Sequence, residues 1–91
     1  MSNEFHSFMV ETFGDGAFEI YKHRTNAGDF IGWKYELTLP NTKRPNPIEI
    51  IEFNDGLYYC GICAWINRET MQNILLALKK GLEKENKDEN V

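Results

Sequence analysis

The stretch IEIIEFNDGLYYCGICAWINRETMQNILLALKK, residues 48–80, changes periodicity part-way along, and that change decides the fold. Over IEIIEF (48–53) and LYYCGICAWI (57–66), β-branched and aromatic residues dominate, as suits a pleated, half-buried surface. Asn54-Asp55-Gly56 separates the two runs, and an Asp-Gly step in that position is a strong short-range hairpin signal. From Met71 onward the spacing is helical: Met71, Ile74, Leu75, Leu78 and Leu82 fall on one face. Asn67 is placed to cap this helix, with Glu69 in its first turn and Lys79 and Lys80 near its end, all favourable to the helix dipole. Gly81 weakens the last turn. Residues 83–91 are charged and lack apolar anchors, which predicts a flexible solvated tail after a single domain spanning 1–82.

Upstream the period is two. In GWKYELTL (32–39), Trp33, Tyr35, Leu37 and Leu39 alternate with Lys34, Glu36 and Thr38, which predicts a strand with one buried face. AFEIYKH (17–23) alternates in the same way. The GDG at 14–16 offers a tight turn from a preceding strand FMVETF (8–13), so these two are expected to form a first hairpin. RTNAGDFIG (24–32) and PNTKRPNP (40–47), the latter with Pro40, Pro45 and Pro47, read as surface loops. The expected fold is α+β: an antiparallel sheet of four to five strands in two hairpins, followed by one C-terminal amphipathic helix packed on one face.

Composition bounds the function. A chain of 91 residues buries only about 60% of the surface its unfolded form exposes, so its core is modest and a large enclosed active site is not expected. With 42% hydrophobic and 13% aromatic residues the chain is a globular domain rather than a disordered one. No segment approaches the roughly 20 apolar residues of a membrane span, and the N-terminus has no leader pattern, so the expected compartment is the cytoplasm. Two cysteines there are expected to stay reduced.

The Cys60-x-x-Cys63 pair is the most chemical-looking motif. Only 28 residues follow Cys63, which leaves no room for the remainder of a thioredoxin-like domain, and the helix start at Asn67 is displaced from Cys60, so it does not lower a thiol pKa there. A metal site would have to draw on Cys60, Cys63, His6 and His23, whose spacing matches no compact zinc module. On a straight strand, moreover, Cys60 and Cys63 point to opposite faces, so both read as packing residues. His23 reads as an exposed histidine at the end of a strand. No serine, threonine or carboxylate pair stands in a nucleophilic or acid–base arrangement. The chain is expected to be neither an enzyme nor a cofactor or metal carrier.

Charge and rings give the positive signal. The net charge of −4 hides a basic middle: across residues 22–44, Lys22, Arg24, Lys34, Lys43 and Arg44 face only Asp29 and Glu36, a local balance of +3. Tyr21, Phe30, Trp33, Tyr35, Tyr58 and Tyr59 lie in or close to that region. Cations that track phosphates beside rings that stack on bases are the means by which single strands are held, at roughly 1 to 3 kcal/mol per stacked base.

The order FEI (18–20), GWKYEL (32–37), IEIIEF (48–53), GI (61–62) and NRETMQNILLAL (67–78) resembles the bacterial branch of the transcriptional-coactivator-like single-stranded-DNA-binding family, over about residues 18 to 82. The resemblance implies a four-stranded antiparallel sheet followed by a helix, a homodimer, and binding of single-stranded DNA (or RNA) across the sheet with little sequence preference. It carries the family's Gly-Trp-x-x-Glu-Leu element onto Gly32, Trp33, Glu36 and Leu37. Where the family has glycine and lysine ahead of its Gly-Ile, this chain has Tyr59 and Cys60, which lowers the expected electrostatic affinity. The nucleic-acid-binding residues expected from composition and resemblance together are Lys22, Arg24, Trp33, Lys34, Lys43, Arg44, Tyr58 and Tyr59. The alternative is a protein-interaction or inhibitor module that presents an aromatic, acidic surface from the same scaffold.

Overall fold

In the computed structural model, residues 2–38, 47–61 and 65–89 are described, with the backbone alone over 82–89. The chain runs α1 (Asn3–Phe13), a 3-10 turn (Asp15–Ala17), β1 (Phe18–Arg24), β2 (Phe30–Leu37), β3 (Ile48–Phe53), β4 (Tyr58–Tyr59) and α2 (Arg68–Glu89). The four strands form one antiparallel sheet in the order β1-β2-β3-β4. The α+β architecture and the C-terminal helix are as the periodicity indicates.

The first segment differs. FMVETF is not a strand but the second half of α1, so the first hairpin joins β1 to β2 and not 8–13 to 18–23. The reason lies just upstream of that window. Phe5, Met9 and Phe13 recur every four residues, and Ser2 caps the helix, its Oγ accepting the Phe5 N–H at 3.2 Å. The Gly14 N–H closes the other end by donating to the Val10 carbonyl at 2.9 Å, and the 3-10 turn then leads into β1.

One loop is shorter than the sequence reading. Phe30 to Gly32 join β2, which leaves 25–29 as the connection from β1, closed by Gly28 N–H to the Thr25 carbonyl and Thr25 N–H to the Asp29 carbonyl, both at 2.9 Å. Of the proline-rich segment 40–47, only Pro47 is among the described residues. Asp55 caps the β3–β4 turn, its Oδ1 accepting the Leu57 N–H at 3.0 Å.

The strand expected over 57–66 ends at Tyr59. Gly61 adopts φ 64°, a left-handed conformation that ends extended pairing, and Trp65 follows at φ 61°. Ile66 then returns to Tyr58, exchanging N–H···O=C bonds of 2.7 and 3.1 Å with it. Cys60, Gly61 and Trp65 therefore lie outside the paired strand rather than in a straight continuation of it. Asn67 caps α2 as its position predicts: its Oδ1 accepts the Thr70 N–H at 2.8 Å and its carbonyl the Met71 N–H at 3.0 Å. The charged segment from Glu83 enters α2 as far as Glu89.

Strand register sorts side chains by face, because residues directly opposite one another in an antiparallel pair share a side. Phe18, Tyr35, Leu37, Ile50 and Tyr58 lie on one side and form the core with Phe5 and Met9 of α1 and Met71 and Leu75 of α2. Both helices thus cover the same face. Phe5 is the hub: its ring lies 5.2 Å from Tyr35, edge-on, and 4.8 Å from Tyr58. Arg68 of α2 pairs with Glu4 of α1 at 2.6 Å on the outside. Among the described residues no helix is long and apolar enough to cross a membrane.

Candidate nucleic-acid interface

The open end of the β1–β2 hairpin collects three of the expected binding residues. Lys22 stands opposite Trp33 in the register, and Arg24 opposite Phe30. The pairing skips Ile31 between His23 and Arg24, and this irregularity turns Phe30 to the side that carries Trp33. The two rings meet edge to face at 5.4 Å. Lys22 and Arg24 are exposed, Trp33 is half-buried against the core, and Phe30 retains 38% of its accessible surface. One Arg24 Nη donates to the Gly28 carbonyl at 3.2 Å, which holds the guanidinium beside Phe30 with other donors still available. The patch therefore alternates cation and ring across two strands. Phe30 was legible as a ring near the basic region, but only the register makes it part of the patch.

The other expected residues lie elsewhere. Lys34 is adjacent to Trp33 in β2 and so faces the opposite side, where its Nζ is 3.5 Å from Glu36, 3.9 Å from Glu49 and 5.9 Å from the centroid of the Tyr21 ring. Two carboxylates already engage that charge. Tyr59 is half-buried on the same side, opposite Ile51. Tyr58 is 2% exposed, a core residue and not a stacking surface, because neighbours in a strand point to opposite faces and only one of the pair can turn outward. Lys43, Arg44 and Cys63 lie outside the described residues.

A buried carboxylate holds the scaffold behind the patch. Glu52, opposite Trp33 in β3 and 6% exposed, accepts the Ser2 backbone N–H at 2.8 Å and the Tyr58 hydroxyl at 2.6 Å. It joins the start of α1 to β3 and β4, and bonds of this charge-assisted kind are the stronger ones. In strict alternation Glu52 shares the side of Ile48 and Ile50 while the exposed Glu49 shares that of Ile51 and Phe53, so the signal in the sequence is its position and not its residue type. Burial is also the largest cause raising the phenol pKa values of Tyr35 and Tyr58; the charge of Glu52 adds to the first, and its hydrogen bond to the second. The folded chain holds these two protons more tightly than the unfolded chain, whose tyrosines ionise near pH 10. The stability these two groups contribute is thus complete below about pH 10 and is lost as the pH rises above it. Thermal melting followed across that boundary is expected to show a constant midpoint up to about pH 9.5 and a falling one beyond, Tyr35 and Tyr58 ionising as the chain unfolds. An unchanged midpoint through about pH 11 would contradict this assignment.

Cys60 is half-buried against the core. His6 lies on α1 with its ring edge-on to Phe18 at 5.9 Å. His23, expected as an exposed histidine, is half-buried in β1 with its ring 6.3 Å from Phe53. Among the described residues, no three His, Cys, Asp or Glu side chains converge on a place that could hold a metal ion.

No family model, curated protein or solved structure matches the chain.

Proposed function

We propose that this chain is a non-enzymatic protein that binds single-stranded nucleic acid, DNA foremost, with little sequence preference. It acts as a cytoplasmic homodimer in transcription or DNA maintenance. The observation that carries this reading is the pairing of Lys22 with Trp33 and of Arg24 with Phe30 at one end of the sheet. Phosphates run along the two cations while a base lies on the exposed Phe30 ring, an arrangement indifferent to base identity because every base has a π-face. The resemblance of 18–82 to the coactivator-like single-stranded-DNA-binding family supports the same reading and supplies the dimer. The net charge of −4 makes the affinity modest and confines attraction to this corner of the molecule.

Salt tests it. Fluorescence anisotropy of a labelled oligonucleotide of about 20 bases is expected to show micromolar binding at low ionic strength that weakens linearly in log–log form as salt rises, by about 0.7 per phosphate neutralised. The same titration with fully paired duplex is expected to show weaker binding, since paired bases offer no free face to Phe30. Absence of binding at low salt and tens of micromolar protein would overturn the proposal.

A further inference from the structure

Among the described residues, both helices pack on one side of the sheet, to which every strand residue of the core cluster belongs; on the other side Ile51 is buried in β3, while Tyr21 and Glu49 are exposed. We infer that this open face is a docking surface for an extended, cationic segment of another polypeptide. Large rings are held at one end of it. His23 and Phe53 flank Gly32 in the register, and because glycine has no side chain their rings approach to 6.3 Å across it. Trp65 adds a third ring 5.0 Å from Phe53, yet keeps 65% of its surface in water and sits at φ 61°, a conformation unfavourable for an L residue. A strained backbone that presents an apolar ring to solvent is what a recognition surface requires.

Charge selects the occupant. At the opposite end Glu19, Glu36 and Glu49 stand directly opposite one another across three strands, a like-charge row that destabilises the free sheet. Among the described residues, Lys34 is the cation that engages this row, at Glu36 and Glu49. Tyr21 donates a hydrogen bond to Glu19. Among the described residues, the face thus keeps an excess of negative charge. Beside it a half-open cleft of about 170 Å³ has Glu19 and Glu36 in its wall, with Ala17, Thr38 and Pro47 also lining it. That chemistry fits the aliphatic stem and charged head of a lysine or arginine. A strand-like segment whose cation enters the cleft and whose apolar side chain reaches Phe53 and Trp65 complements both ends at once. Nucleic acid does not fit here, because the carboxylate row repels phosphate. This surface is separate from the Lys22–Arg24 patch, which lies on the helix side of the sheet.

The probe is a fluorescein-labelled peptide Lys-Gly-Lys-Gly-Leu-Gly-Trp-Gly, set against a counterpart with glutamate in place of both lysines. The lysine peptide is expected to bind at low salt and to shift the NMR amide signals of Glu19, Glu36, Glu49 and Trp65, and the glutamate peptide is not. The double variant Glu19→Gln/Glu36→Gln removes repulsion within the sheet and so keeps its fold. It is expected to lose at least about tenfold in affinity for the lysine peptide, roughly 1.4 kcal/mol, without losing affinity for single-stranded DNA. Equal binding of the two peptides would overturn the inference, as would unchanged affinity in the double variant. So would a single-stranded oligonucleotide that shifts the Glu36 and Trp65 signals.

Discussion

Replacing Phe5 by alanine is expected to lower the stability of the folded chain by about 3 to 5 kcal/mol. The ring is fully buried and makes edge and tilted contacts with Tyr35 and Tyr58, so its loss removes transfer free energy and leaves a cavity where helix meets sheet. Little can fill the gap. Met9 is the next α1 residue on the buried side and already belongs to the core, while Ser2 and Glu4 tie the start of the helix to Glu52 and Arg68. For a domain whose whole stability is of the order of 5 to 15 kcal/mol, such a loss approaches global unfolding at physiological temperature. Urea denaturation followed by tryptophan fluorescence measures it. The Phe5→Leu variant, which keeps most of the volume, is expected to lose less than half as much. A loss below about 1 kcal/mol in Phe5→Ala would show that α1 does not pack on the sheet as described.

The second large effect belongs to a glycine. A methyl group at residue 32 would lie 2.2 Å from the Glu52 carbonyl oxygen and 3.0 Å from the Phe53 Cα, both on the neighbouring backbone of β3. No side-chain rotation relieves that contact, so Gly32→Ala must push β2 away from β3 and disturb the central pairing of the sheet. The expected loss is about 2 to 3 kcal/mol, at the upper end for an overpacked site. The methyl would also enter the gap that His23 and Phe53 close, so their ring resonances are expected to shift apart in proton NMR spectra. Wild-type stability in Gly32→Ala would show that β2 and β3 run further apart than the register requires. In the family resemblance Gly32 opens the Gly-Trp element; in this chain, strand packing by itself explains why the residue is glycine.

How much of this could be read from the sequence depended on whether a pattern was complete within the segment considered. The Asn67 cap and the Met71-Ile74-Leu75 spacing defined α2, and alternation defined β1, β2 and β3, because each signal lies wholly within its own element. The helix at the N-terminus escaped because Phe8-Met9-Val10, taken alone, resembles a strand, and the four-residue spacing appears only when Phe5 and Phe13 are included. Alternation carries β4 past its end at Tyr59 because the left-handed conformation of Gly61 leaves no mark on the period.

The candidate site shows a similar division. Alternation indicates which residues of one strand share a side, but not which residues of the next strand join them; that is set by register. Lys22 and Arg24 share a side because β1 continues through Arg24, a residue the sequence reading assigns to the loop, and placing Phe30 with Trp33 needs the skipped Ile31. Lys34 next to Trp33, and Tyr58 next to Tyr59, could never have acted together on one face. Glu52 stayed hidden because a carboxylate in a strand reads as solvent-facing, and only the Ser2 and Tyr58 donors that meet it explain its burial.

The central claim is that Lys22 and Arg24, set against Trp33 and Phe30, hold single-stranded DNA. Its most direct test is the affinity of the Lys22→Gln/Arg24→Gln double variant for the same labelled oligonucleotide of about 20 bases, measured against the unaltered chain over a range of salt. Both side chains are exposed, so the melting temperature is expected to stay the same. The account predicts a loss of at least about tenfold at low ionic strength and a log–log salt slope smaller by about 1.4, two phosphate contacts at 0.7 each. Unchanged affinity with an unchanged slope would contradict it.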